Sequence, residues 1–96
     1  MQINELSELS HAVAIDKGFY DRERPIPELL MLIVSELGEA VEADRNSDWD
    51  NFKEEIADAY LRLGDLCAYL KIDIEEVIIK KMSFNKTRPK RHNKKY

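Results

Sequence analysis

The chain has few of the residues that break or staple a fold. Its 96 residues include three glycines, three prolines and one cysteine. A lone cysteine, Cys67, excludes an internal disulfide, and its neighbours Leu66, Ala68 and Leu70 mark it as a buried, inert thiol. There is no apolar run long enough for a transmembrane helix. The opening MQINELSELSH lacks the basic start and apolar stretch of a secretory signal, so a cytoplasmic location is expected. No segment alternates apolar and polar residues as a half-buried strand does. From Lys80 to the end there is no acid, against eight basic residues, so all nineteen acids precede that point. The net charge of −4 therefore conceals an acidic body and a basic end. The acidic body repels a polyanion, and the basic tail lacks interleaved aromatics, so nucleic acid is not the expected partner.

What is present is helical periodicity. A first helix is expected from about Ile3 to Lys17, with Gly18 as its stop. Two close prolines make Phe19 to Pro27 a connection. A second helix runs from about Pro27 to Arg45. After Asn46-Ser-Asp-Trp-Asp50, with Asp48 or Asp50 as cap, a third runs to about Leu70. Asp73, with Glu76 three residues on, reads as the capping box of a fourth helix reaching about Lys86. The predicted fold is all-α, a four-helix bundle of antiparallel helices over residues 1–88, followed by a polar, basic tail over residues 89–96. A chain of this length buries only about 60–65% of its unfolded surface, so oligomerisation is a natural way to complete the core.

Two acidic pairs stand out, Glu36-Leu-Gly-Glu39 and Glu55-Ile-Ala-Asp58. On a helical wheel Glu36 falls among Leu29, Leu32, Ala40 and Ala43, with Glu39 about 60° to one side. Glu55 falls beside Phe52, Ala59, Leu66 and Leu70, with Asp58 about 60° away. Solvated acids would sit opposite the apolar stripe; these sit at its edge. The short link makes the two helices antiparallel neighbours, so facing stripes bring four carboxylates together. Four gathered anions call for a cation, and an all-oxygen set suits Mg²⁺ or Mn²⁺ rather than zinc. The plainer alternative is partly exposed acids paired with neighbours, for which Arg62, four residues after Asp58, is available. On the fourth helix Lys81, Asn85 and Arg88 share one face and offer donors to phosphate. Trp49, in the link between the acidic helices, can stack on a base; Phe19 and Tyr20 are alternatives for that role or structural plugs. His11 reads as a satisfied core-edge histidine.

These segments together resemble the MazG-like, all-α nucleoside triphosphate pyrophosphohydrolases, a superfamily that includes dimeric dUTPases and dCTP pyrophosphatases. The resemblance rests on KGFYD, SELGEAVEADR, EEIADAYLRLGDL, IDIEEVIIKKM and the N-x-x-R-P-x-R-H ending from Asn85 to His92. It implies that Glu36, Glu39, Glu55 and Asp58 bind Mg²⁺, and that water attack on a (d)NTP releases a (d)NMP and pyrophosphate. It also implies that Lys81, Asn85 and Arg88 meet the phosphates, and that the chain forms a dimer or tetramer whose site is completed between subunits. Glu36 is the candidate to orient or deprotonate the water. Some relatives carry another acid before the first motif glutamate; here that residue is Ser35, which leaves one metal ion or two open.

Two other functions compete with this one. A di-iron carboxylate bundle uses Glu-x-x-His pairs, and Glu8-Leu-Ser-His11 is the one such pair in the chain. A non-catalytic helical module binding a nucleotide or partner is the alternative outside enzymology. Base, sugar and biological role, whether cleaning of the nucleotide pool or stress response, do not follow from these residues.

Overall fold

The computed structural model describes residues 1–89; the basic tail, Pro89 apart, lies outside the described residues. Four helices make up the fold: α1 Ile3–Asp16, α2 Ile26–Arg45, α3 Trp49–Tyr69 and α4 Ile74–Thr87. All four expected helices are present. No strand occurs among the described residues.

The ends of the helices follow from local chemistry. Gln2 and Glu5 form a reciprocal capping box that opens α1. Pro25 and Pro27 sit at the start of α2, where a missing N–H costs nothing. The Asp48 carboxylate accepts from the Asn51 backbone N–H and opens α3. Asp73 likewise accepts from the Glu76 N–H. The Glu76 side chain, however, pairs with Lys80 at 2.8 Å, so the N-cap forms as expected while its partner serves an i,i+4 ion pair.

Three helices end in the same way. After α2, the Asp48 N–H reaches the Ala43 carbonyl and the Ser47 N–H reaches that of Asp44. After α3, Ile72 and Lys71 make the equivalent bonds to Cys67 and Ala68. After α1, Phe19 and Gly18 bond to Ala14 and Ile15. This crossed pair of bonds needs a left-handed residue. Gly18 provides it at φ +83°, whereas Ser47 and Lys71 adopt it at φ 55° and 57°.

Helix α3 is the centre of the fold, with α2 along one side and α1 along the other. The contacts run in opposite senses along the chain. Leu29 and Ile33 meet Leu66, and Glu36 further on meets Arg62, so α2 and α3 are antiparallel. Phe19, Tyr20 and Tyr69 close the small apolar core formed by Leu29, Ile33 and Leu66. Phe19 and Tyr20 thus act as plugs, with the Arg24 guanidinium 4.0 Å over the Phe19 ring. The α1–α3 approach depends on Gly64. A Cβ placed there would lie 3.3 Å from the Ser7 backbone, a tight contact that α1 would have to relieve by a few tenths of an ångström.

Helix α4 is different. It buries no residue, and its packing within the chain is on α1, where Asn4 bonds to both Asp73 and the Glu75 N–H. The radius of gyration is 16.2 Å, against about 12 Å for a compact domain of this length.

Candidate metal centre and its surroundings

Glu36 and Glu39 are one helical turn apart on α2, and Glu55 faces them from α3. One carboxylate oxygen from each lies within 4.8 Å of the others. Glu36 is buried at 9% exposure, an unusual place for a carboxylate. It accepts a 2.9 Å hydrogen bond from Arg62 Nε. Asp58, the fourth expected acid, is exposed and stands outside this cluster. It lies on the solvent side of Glu55, as the 60° offset along the helix dictates.

The crowding divides the two central acids electrostatically. Burial pushes Glu36 upward, but the Arg62 hydrogen bond and charge prevail and hold it below the usual carboxylate value. Glu55 goes the other way. Burial first, then the hydrogen bond shared with Glu36 and the nearby Glu39, push it up to about 7. Near neutrality the metal-free cluster therefore keeps a proton that isolated carboxylates would have lost. One guanidinium does not balance three converging acids. The donors are all oxygens, and no histidine or cysteine belongs to the group. That set fits a hard divalent cation.

Arg62 was available to Asp58 by helical spacing, yet it turns to Glu36. Helix packing delivers a buried carboxylate to Arg62, and a buried acid gains more from a guanidinium than a solvated one does.

A second polar cluster was not foreseen. Asp65 accepts from the Tyr20 hydroxyl at 2.7 Å and lies 2.7 Å from His11 Nδ1. The Tyr20 and Tyr69 rings stack at 4.6 Å, and the His11 ring meets the edge of Tyr20 at 5.1 Å. Burial and the Asp65 carboxylate raise the pKa of Tyr20. His11 is thus the satisfied core-edge histidine expected. The only sequence trace of Asp65 is an acid set inside the apolar run Leu63 to Cys67. Cys67 is buried, and burial raises its thiol pKa, which leaves it unreactive.

The expected phosphate-binding trio lies elsewhere. Lys81 and Asn85 are exposed on α4, and Arg88, also exposed, is the extended residue that ends it. Lys81 and Arg88 lean toward the Phe84 ring at 5.1 and 5.6 Å. Among the described residues none of the three bonds to the carboxylates. Trp49, expected in the link, is instead the first residue of α3, since Asp48 caps the helix directly before it; it is 64% exposed, with its ring 4.9 Å from that of Phe52. Beside the cluster, α1 and α3 enclose an apolar groove of about 470 Å³ that includes Leu9, Val13 and Leu61, with Arg62 and Asp65 on its wall. No helix is long and apolar enough to cross a membrane.

The class that the fold and the cluster define is an all-helical chain whose two adjacent helices gather oxygen donors that could hold a divalent cation. The MazG nucleotide pyrophosphohydrolase domain matches residues 25–93, well over half of the chain. The chain belongs to that family. The match contains every expected site residue and leaves α1 outside. No curated protein and no solved structure gives a significant match.

Proposed function

We propose that this chain is a Mg²⁺-dependent nucleoside triphosphate pyrophosphohydrolase that converts a (d)NTP to a (d)NMP and pyrophosphate. Convergence of Glu36, Glu39 and Glu55 within a MazG domain carries this reading. These three would hold the metal, with Asp58 at the edge as a ligand through water or after substrate arrives. When bound, Mg²⁺ (or Mn²⁺) neutralises phosphate charge and lowers the pKa of water.

The chain's own residues supply the rest. Arg62 fixes Glu36 by a directional bond, so Glu36 is the group proposed to orient the attacking water. Its lowered pKa makes it a better positioner than proton acceptor. Lys81, Asn85 and Arg88 are proposed to bind the phosphates, and Trp49 to stack on the base. The protein is proposed to act as a homo-oligomer in the cytoplasm, on the nucleotide pool.

The test is a panel of nucleoside triphosphates with Mg²⁺, with pyrophosphate and phosphate resolved as products. Wild type should release pyrophosphate and monophosphate from at least one nucleotide, and Glu39→Gln should not. Orthophosphate as product, or unchanged turnover by Glu39→Gln, would overturn the reading.

A further inference from the structure

Arg62 holds more donors than the fold uses. Most of its side chain is covered, with 37% exposed, yet only Nε is engaged, by Glu36. Its two Nη groups have no hydrogen-bond partner among the described residues. Arg24, more deeply placed at 19% exposure, bonds through both Nε and Nη1. Two acids are within reach of Arg62 along its own helix, Asp58 four residues before it and Asp65 three residues after. Neither takes it. Asp58 is exposed, and both Asp65 oxygens are engaged by His11 and Tyr20. A covered guanidinium with an idle fork, beside a carboxylate cluster, is placed to receive an anion.

Its position decides which anion. Arg62 stands between Glu36 and the α1–α3 groove, whose wall it shares with Asp65. Glu36 is the group proposed to orient the attacking water. The phosphorus under attack lies about 3–3.5 Å from that water, so its non-bridging oxygens come within reach of a guanidinium bonded to the same carboxylate. We infer that Arg62 is a catalytic residue whose Nη groups donate to a non-bridging oxygen of the substrate's α-phosphate while Nε keeps hold of Glu36; this rests on the proposed hydrolase reading and deepens it. In the reaction the water oxygen adds to the α-phosphorus. The bond from that phosphorus to the oxygen bridging to the β-phosphate breaks, the bonding pair leaves on pyrophosphate, and a water proton passes to solvent. Charge spreads over the non-bridging oxygens during this exchange, and a fixed N–H fork stabilises it without reorganising. The charge balance agrees. Three ionised carboxylates and one divalent cation leave one negative charge, which Arg62 cancels, so the phosphate meets a neutral site.

The test uses Arg62→Lys in the full chain, which keeps a positive charge for Glu36 but loses the planar fork. With a nucleotide that wild type turns over, kcat should fall about 100-fold while KM changes little. The two α-thio diastereomers of that nucleotide, each with sulfur in place of one non-bridging oxygen, separate substrate contact from support of Glu36. Wild type should prefer one diastereomer, and Arg62→Lys should change that preference by about tenfold. A residue acting only through Glu36 leaves the preference as it was, so an unchanged ratio overturns the inference even if kcat falls. Calorimetric binding of inorganic tripolyphosphate with Mg²⁺ needs neither a base nor turnover. Arg62→Lys should bind it about tenfold more weakly than wild type, and equal binding overturns the contact. If wild type turns over no nucleotide but the variant binds tripolyphosphate more weakly, the hydrolase reading fails and the phosphate contact stands. A wild type that neither turns over a nucleotide nor binds tripolyphosphate overturns both.

Discussion

Arg62 Nε donates to Glu36 Oε1 at 2.9 Å across the α2–α3 interface, which places a guanidinium beside the most buried acid of the cluster. The bond makes Arg62 part of the fold and part of the site at once. Its removal leaves Glu36 buried and unpaired beside two more acids. The guanidinium is about one-third exposed, so solvent reduces the loss. Arg62→Ala should destabilise the metal-free protein by about 1–2 kcal/mol in urea unfolding. Mg²⁺ should recover more stability in this variant than in wild type, because it replaces the missing positive charge. Equal stabilisation of both proteins by Mg²⁺ would count against that electrostatic role.

The metal-free protein should lose stability on both sides of a narrow pH range. Glu55 is raised from 4.5 to about 7 in the folded state. Its folded form binds the proton more tightly than the unfolded form, so its contribution is complete below 4.5 and is lost as pH rises through about 7. Glu28, held down by bonds from Arg22 and Arg24, and Asp73, held down by Asn4 and the Glu76 N–H, act oppositely. Their contribution is present above the usual carboxylate range and is lost as pH falls. Mg²⁺ competes with the proton on Glu55, so its effect on Tm should be larger at about pH 8 than at about pH 6. A gain in Tm that is the same at both would show that Glu55 is not a ligand.

The helices and the acidic pairs were legible because both depend on rules within a turn or two. Helical periodicity placed Leu29, Leu32, Ala40, Ala43, Phe52, Ala59, Leu66 and Leu70 on the inner stripes; five of them are buried, Leu32 and Phe52 are half-buried, and Leu70, at the end of α3, is exposed. Asp48 and Asp73 cap where expected. The same local rules misplace what tertiary packing decides. Spacing offered Arg62 to Asp58, whereas the packed helices offered it Glu36. Asp65 bonds with residues 54 and 45 positions away, a distance at which no spacing rule operates. The stance of α4 was also hidden. Its sequence is a capped helix with apolar residues, and nothing local says that its own chain leaves that face uncovered.

The two left-handed residues after α2 and α3 are points of avoidable strain. Ser47 and Lys71 pay for a positive φ in turns whose bonds close well, at 2.9 Å to Ala43 and 2.8 Å to Cys67. Neither side chain makes a hydrogen bond or ion pair among the described residues. Glycine takes the same backbone without the Cβ penalty. Ser47→Gly and Lys71→Gly should each stabilise the chain by about 1 kcal/mol in urea unfolding, and the two should add, being at opposite ends of α3. Destabilisation by either glycine would mean that the side chain holds its link through a contact that outweighs the strain.

The His11–Asp65–Tyr20 cluster joins α1 and the first connection to α3, so it ties the part of the chain outside the MazG match to the helix that carries Glu55 and Arg62. Asp65 is buried, and both of its oxygens are engaged. Asp65→Ala strands a tyrosine hydroxyl and an imidazole nitrogen in a half-buried place and should cost about 2–3 kcal/mol. Tyr20→Phe removes one donor but keeps the ring stacked on Tyr69, so it should cost about 1 kcal/mol. The difference between the two variants separates the hydrogen bonds from the packing. Hydrogen exchange locates the effect. Asp65→Ala should deprotect amides of α1 more than those of α2, since α1 packs on α3 and has no comparable contact with α2. Uniform deprotection across all the helices would mean that α1 does not open independently, and that its seam with α3 is part of one cooperative core.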